Sequence, residues 1–75
     1  MKTMPLTFIL SGKNCRISNI EGGDALRKKL MEMGFNTGAK VEIVKNDVGP
    51  LIIGIGGSRV AIGRGMAQKI SVEAQ

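Results

Sequence analysis

The chain of 75 residues contains no histidine, no tryptophan, no tyrosine and a single cysteine. Each absence removes a class of chemistry. Without histidine, the usual general base near neutral pH is missing. Metal sites built from histidine or from several cysteines are missing with it. One cysteine cannot form an internal disulfide, which fits a reducing compartment. It has no histidine to activate it, so a Cys–His nucleophile is excluded. The only aromatic residues are Phe8 and Phe35. Barrels that bind single-stranded nucleic acid use stacking aromatics, and grooves for proline-rich peptides need an aromatic floor. The sequence argues against both. No apolar run approaches the roughly 18 residues of a membrane span. Length allows one domain, residues 1–75, burying only roughly 60% of its unfolded surface.

What remains is a folding chain with 43% hydrophobic and 23% charged residues, which is not the composition of a disordered segment. Eleven glycines imply many tight turns, as in a small β-barrel. The net charge of +5 raises nucleic acid, a membrane surface or an acidic partner. The run Arg27-Lys28-Lys29 reads as a solvated helix face. The N-terminus imitates an export signal, with Lys2, an apolar stretch and Cys15. However, Pro5 and Thr7 interrupt the stretch, and Lys13 and Asn14 separate Ser11-Gly12 from the cysteine. The expectation is therefore a cytoplasmic protein, complete as written, with no direct membrane insertion.

Residues 6–10 (Leu-Thr-Phe-Ile-Leu) read as a strand that buries Phe8, and 11–14 as a turn. Residues 15–20 alternate, with the inward face left ambiguous between Cys15, Ile17 and Asn19 on one side and Arg16, Ser18 and Ile20 on the other. Residues 24–33 form the one convincing helix. Asp24 is its expected cap, and Leu26, Leu30 and Met33 form one apolar stripe. Gly34 supplies the left-handed stop, and Phe35 folds back on Leu30. Residues 39–45, 51–55, 58–62 and 69–73 read as strands. Gly56-Gly57 is a two-residue hairpin turn, and residues 63–67 a single helical turn.

Two turns fix the register. A loop centred on Val48 pairs Val41 with Ile55, Ile43 with Ile53 and Val44 with Ile52. The Gly56-Gly57 turn pairs Ile53 with Val60, Leu51 with Ile62 and Ile52 with Ala61. Both place Val41, Ile43, Leu51, Ile53, Ile55, Val60 and Ile62 on one face. The fold class is mainly β with one helix. The same parity leaves Val44, Ile52 and Ala61 together on the opposite face, either covered by the helix or residues 6–10, or serving as a self-association or partner surface. On the helix, Met31 points well away from the Leu26–Leu30–Met33 stripe and is a second candidate contact.

Other motifs fail on spacing. Gly54, Gly56, Gly57, Gly63 and Gly65 satisfy neither the phosphate-loop nor the dinucleotide pattern, since position 59 is Arg59 and no long helix follows. They read as hairpin and corner glycines. The six carboxylates are scattered, without a pair set for acid–base work or calcium ligation. Cys15 reads as a buried strand residue.

The segment Leu30-Met-Glu-Met-Gly34-Phe35, followed by Gly38-Ala-Lys-Val41-Glu-Ile43, resembles the FeoA family of ferrous iron transport proteins. So does the tail from Val60 to Val72, Val-Ala-Ile-Gly-Arg-Gly-Met-Ala-Gln-Lys-Ile-Ser-Val. The likeness runs from Pro5 to Val72 and implies a small SH3-like β-barrel, stand-alone, of the kind that also closes metal-dependent repressors. It implies a non-enzymatic role in bacterial ferrous iron uptake beside FeoB, a membrane transporter carrying a cytoplasmic GTPase domain. The expected site is partner-binding, at Met31, Val44, Ile52, Arg59 and Arg64, with no catalytic or metal-ligating residue and no cofactor. The isolated chain is expected not to bind iron tightly. Two alternatives stay open. One is a nucleic-acid-binding barrel, although no specific nucleic acid is expected. The other is stimulation of a GTPase through an arginine finger, Arg59 or Arg64.

Overall fold

The computed structural model describes residues 2–75. Six strands form one antiparallel sheet in the order β1-β6-β2-β3-β4-β5. They are β1 (Met4–Pro5), β2 (Asn14–Ile20), β3 (Lys40–Lys45), β4 (Leu51–Ile55), β5 (Ser58–Ile62) and β6 (Ile70–Ala74). Helix α1 (Asp24–Glu32) joins β2 to β3, and a single turn, α2 (Arg64–Ala67), joins β5 to β6. The sheet's edge strands are β1 and β5. Near them, α2 packs on a 3-10 turn at Leu6–Phe8 that directly follows β1.

The expected strand at 6–10 is therefore corrected. Pro5 ends a two-residue pairing with β6, Met4 opposite Val72 and Pro5 opposite Ser71. The chain then winds as a 3-10 turn, whose three-residue period sends Leu6 and Ile9 inward and leaves Phe8 outside. Phe8 is not a core residue. Asn46 holds this segment in place. Its side-chain amide donates to the carbonyls of Thr7 at 3.0 Å and Ile9 at 2.7 Å, and its backbone N–H donates to the Ser11 hydroxyl at 2.8 Å.

The ambiguous face of β2 is settled by a bulge. Ile17 pairs with Val72 and Asn19 with Ser71, so the register shifts between them. One extra residue returns the alternation to phase, and Cys15, Ile17 and Ile20 are all buried. A second bulge lies between Ile43 and Lys45, where Lys45 opposes Ile52. The expected pairing of Val44 with Ile52 is thus wrong by one position. The pairs Val41–Ile55, Ile43–Ile53, Leu51–Ile62, Ile52–Ala61 and Ile53–Val60 stand as expected. Gly56 and Gly57 take φ of 57° and 83°, the left-handed pair that a tight hairpin turn needs.

Helix α1 starts one residue earlier in role than expected. Gly23 occupies the cap position, and Asp24 is the first helical residue, with no side-chain capping bond. Its carboxylate still lies in the first turn, where the helix dipole favours a negative charge. The C-terminus is a Schellman motif. Phe35 N–H donates to Leu30 O and Gly34 N–H to Met31 O, each at 3.0 Å. Gly34 has φ of 104°, and a Cβ there would approach Ile55 Cδ1 to 3.3 Å. Leu30 and Phe35 are fully buried, with Leu26 and Met33 packed against the same core.

The core comprises Leu6, Ile9, Leu30, Phe35, Ala67 and the inward residues of β2, β3, β4, β5 and β6. Cys15 lies within it as a free thiol, and burial pushes its pKa up from 9.0 to about 11.

Two measurements follow from this packing. Asn46→Ala should cost about 1–3 kcal/mol in urea denaturation, because two part-buried carbonyls lose their donor. The Cys15 thiol should resist a thiol reagent in the native state. Its contribution to stability is complete below the unfolded value of 9.0 and is lost as pH rises through about 11. The loss amounts to roughly 2–3 kcal/mol, and a Cys15→Val variant should show a correspondingly smaller alkaline decline.

Candidate functional site

One face of the β3–β4–β5 hairpins covers the core, and the other looks outward. Along the outer face, Glu42 of β3, Gly54 of β4 and Arg59 of β5 stand in one cross-strand row. Because Gly54 has no side chain, a depression of about 280 Å³ opens there, lined by Glu42, Gly54, Gly56, Ser58 and Arg59 among others. Val44 leans over the same glycine, its Cγ2 lying 3.6 Å from where a Gly54 Cβ would be. Ile52 and Ala61 continue the face as a pair. Val44 and Ile52 are half-buried, and Ala61 and Arg59 are exposed. The apolar trio is therefore not sealed beneath the helix or the N-terminal segment. Lys45, brought opposite Ile52 by the bulge, adds a cation beside it.

The structure gathers three of the five expected site residues, Val44, Ile52 and Arg59, on this outer face. Met31 is separate. It lies on α1, 38% exposed, while Leu30 of the same helix enters the core. Arg64 is separate too, and the expectation of a free arginine finger there is corrected. It is half-buried at the start of α2, and its guanidinium donates to the Asp47 carbonyl in the β3–β4 loop. It acts there as a brace between two loops.

Sequence reasoning missed the exposed residues Phe8, Leu10 and Val48. The first two were hidden by the strand assignment. The i, i+3 spacing of Leu6 and Ile9 after Pro5 was the available signal for a 3-10 turn. Among the described residues, no three His, Cys, Asp or Glu side chains converge on a point that could hold a metal ion. Nor is any helix long and apolar enough to cross a membrane.

The FeoA domain profile matches residues 4–74. The chain belongs to the FeoA family. It is 42% identical over 69 residues to a Methanocaldococcus jannaschii protein described as an Fe(2+) transport protein A, covering 92% of this chain and 84% of that one. A crystal structure titled as an iron uptake regulatory protein, FeoA, superposes with a TM-score of 0.92 at 36% identity, over 99% of this chain and 100% of that one. The IdeR protein of T. acidophilum contains the same fold, with a TM-score of 0.90 at 21% identity. This FeoA chain corresponds to all of its own length but 35% of that protein. At that identity only the architecture is shared. The SH3-like fold and the connection to ferrous iron transport are thus those expected from the Leu30–Phe35 and Val60–Val72 segments.

The exposure of Met31 carries a test. Met31→Ala should cost less than about 1 kcal/mol in thermal or urea unfolding, as surface substitutions do. A loss of several kcal/mol would make the residue part of the core.

Proposed function

We propose that this FeoA-family chain is a non-enzymatic, cytoplasmic accessory of ferrous iron uptake that binds the cytoplasmic GTPase domain of an FeoB-type membrane transporter. The observation that carries the proposal is the outer face of β3–β4–β5. Half-buried Val44 and Ile52 lie there beside exposed Ala61, flanked by Glu42, Arg59 and Lys45. An apolar centre with a charged rim is the make-up of a protein-docking surface. The absence of histidine and the single, fully buried Cys15 leave ferrous iron without imidazole or accessible thiolate ligands. Iron is cargo of the transporter in this reading, not of this chain.

Arg59 supports one second reading. It is exposed beside the hairpin turn and lines the depression, so it is free to reach a partner's nucleotide as an arginine finger does. Arg64 is already engaged. The nucleic-acid alternative gains little, since Phe35 is buried and Phe8 stands without a second aromatic to form a stacking platform.

A Val44→Lys, Ile52→Lys double variant separates the cases. It should remain folded by circular dichroism, and its affinity for the transporter's cytoplasmic domain should fall at least about tenfold in calorimetric titration. An unfolded variant would make the face part of the core. A folded variant with unchanged affinity would remove the docking surface. Arg59→Ala in a GTP turnover assay reads the finger: lost stimulation with binding retained supports it.

A further inference from the structure

Three exposed apolar side chains lie on the segments at the end of the sheet where β3 and β6 finish and β2 and β4 begin. Phe8 and Leu10 are each 69% exposed, and Val48 is 89% exposed. They belong to two segments, the stretch following β1 and the β3–β4 loop, and Asn46 joins the two. Its amide holds the carbonyls on either side of Phe8, and its backbone N–H holds Ser11, next to Leu10. Val48 lies two residues further on. The three tips therefore ride on one braced end. Met4, Phe8, Ile9, Leu10 and Ala74 line a groove there of about 300 Å³, together with the polar residues Lys13, Asn14 and Gln75.

Three basic residues lie at this end, beside one acidic residue, Asp47. Lys13 follows the turn into β2, Lys45 ends β3, and Arg64 reaches over the β3–β4 loop to the Asp47 carbonyl. The Asp47 carboxylate is already engaged. It accepts the Val48 N–H at 2.6 Å and lies 3.9 Å from the Lys45 ammonium. Apolar tips ringed by cations complement a surface that is apolar beneath and anionic on top. A fluid lipid interface closes around whatever arrangement the loops present.

We propose that this end of the molecule docks on an anionic lipid surface. Phe8, Leu10 and Val48 enter the boundary between headgroups and acyl chains, and Lys13 and Lys45 face the headgroup phosphates. The proposal departs from the expectation of no direct membrane insertion in that three side chains enter the interface, although among the described residues no helix is long and apolar enough to cross a membrane. Apart from Lys45 at its edge, the outer face of β3–β4–β5 stays free, and the docking stands without the transporter.

The test is co-sedimentation of the full chain with lipid vesicles, in the absence of any partner. Vesicles of phosphatidylcholine with about 30% phosphatidylserine should bind the chain at low salt, phosphatidylcholine alone should not, and added salt should weaken the binding. Phe8→Ser with Leu10→Ser, and separately Val48→Ser, should each lower the partition about tenfold or more while circular dichroism stays unchanged. Lys13→Gln should lower it about fivefold, and Lys28→Gln on the remote face of α1 should change it little. No binding to the anionic vesicles at low salt would overturn the proposal. So would equal losses from Lys13→Gln and Lys28→Gln, which would mean unspecific attraction to the net positive charge. Vesicle binding unaffected by the serine variants, with transporter-domain binding lost instead, would make this end a protein-docking surface and overturn it as well.

Discussion

A sheet with one apolar face has to be covered, and this chain offers a single nine-residue helix to help cover it. The sheet must therefore curl until its inner face meets itself. Leu51, Ile53 and Ile62 from one end of the strand order close over Ile17, Ile70 and Val72 from the other, all essentially inaccessible to water. The remaining devices serve that curl. The bulges in β2 and β3 add local twist. The left-handed pair Gly56-Gly57 turns the chain with the hand that twisted strands favour. The Schellman end of α1 lets Phe35 drop into the core directly after the helix.

The register was legible where the turn geometry allowed one solution. Gly56-Gly57 admits a single pairing, and every partner across β4 and β5 could be read from it. The Leu26–Leu30–Met33 stripe and the Gly34-Phe35 stop were equally readable, because they are local and periodic. What escaped the sequence were displacements of one residue. Neither bulge has a residue type that demands it. Ser18 and Val44 are ordinary strand residues, and their extra position is set by strands distant in sequence. The 3-10 turn at Leu6–Phe8 was missed because a short apolar run has no period of its own until Pro5 and the pairing of Met4 with Val72 are known. Of the candidate site, Val44, Ile52 and Arg59 were legible as outward residues by parity. The engagement of Arg64 with a backbone carbonyl 17 positions away was not, because nothing in local sequence encodes it.

The surface divides by task. The inner face is spent on stability and leaves no side chain for chemistry. Cys15, the one intrinsically nucleophilic residue, is buried there, and burial keeps it protonated. The outer face and the loop ends, which contribute little to the core, carry the apolar groups that burial does not explain. A chain of this size can be altered on those surfaces at small cost to folding.

The two sheet edges differ in kind. β1 is two residues long and ends in Pro5, which has no N–H to offer a neighbour. β5 spans five residues without proline or lysine, and it is paired along only one of its sides, to β4. Lateral addition of strands therefore has one open side and one blunted side. Pairing through β5 would use up that side in both molecules at once, so growth would stop at a closed two-fold pair. Head-to-tail stacking of sheets, the route to fibres, lacks its second surface. In any such assembly the short proline-ended strand would act as a chain terminator, a consequence separate from anything it adds to the fold.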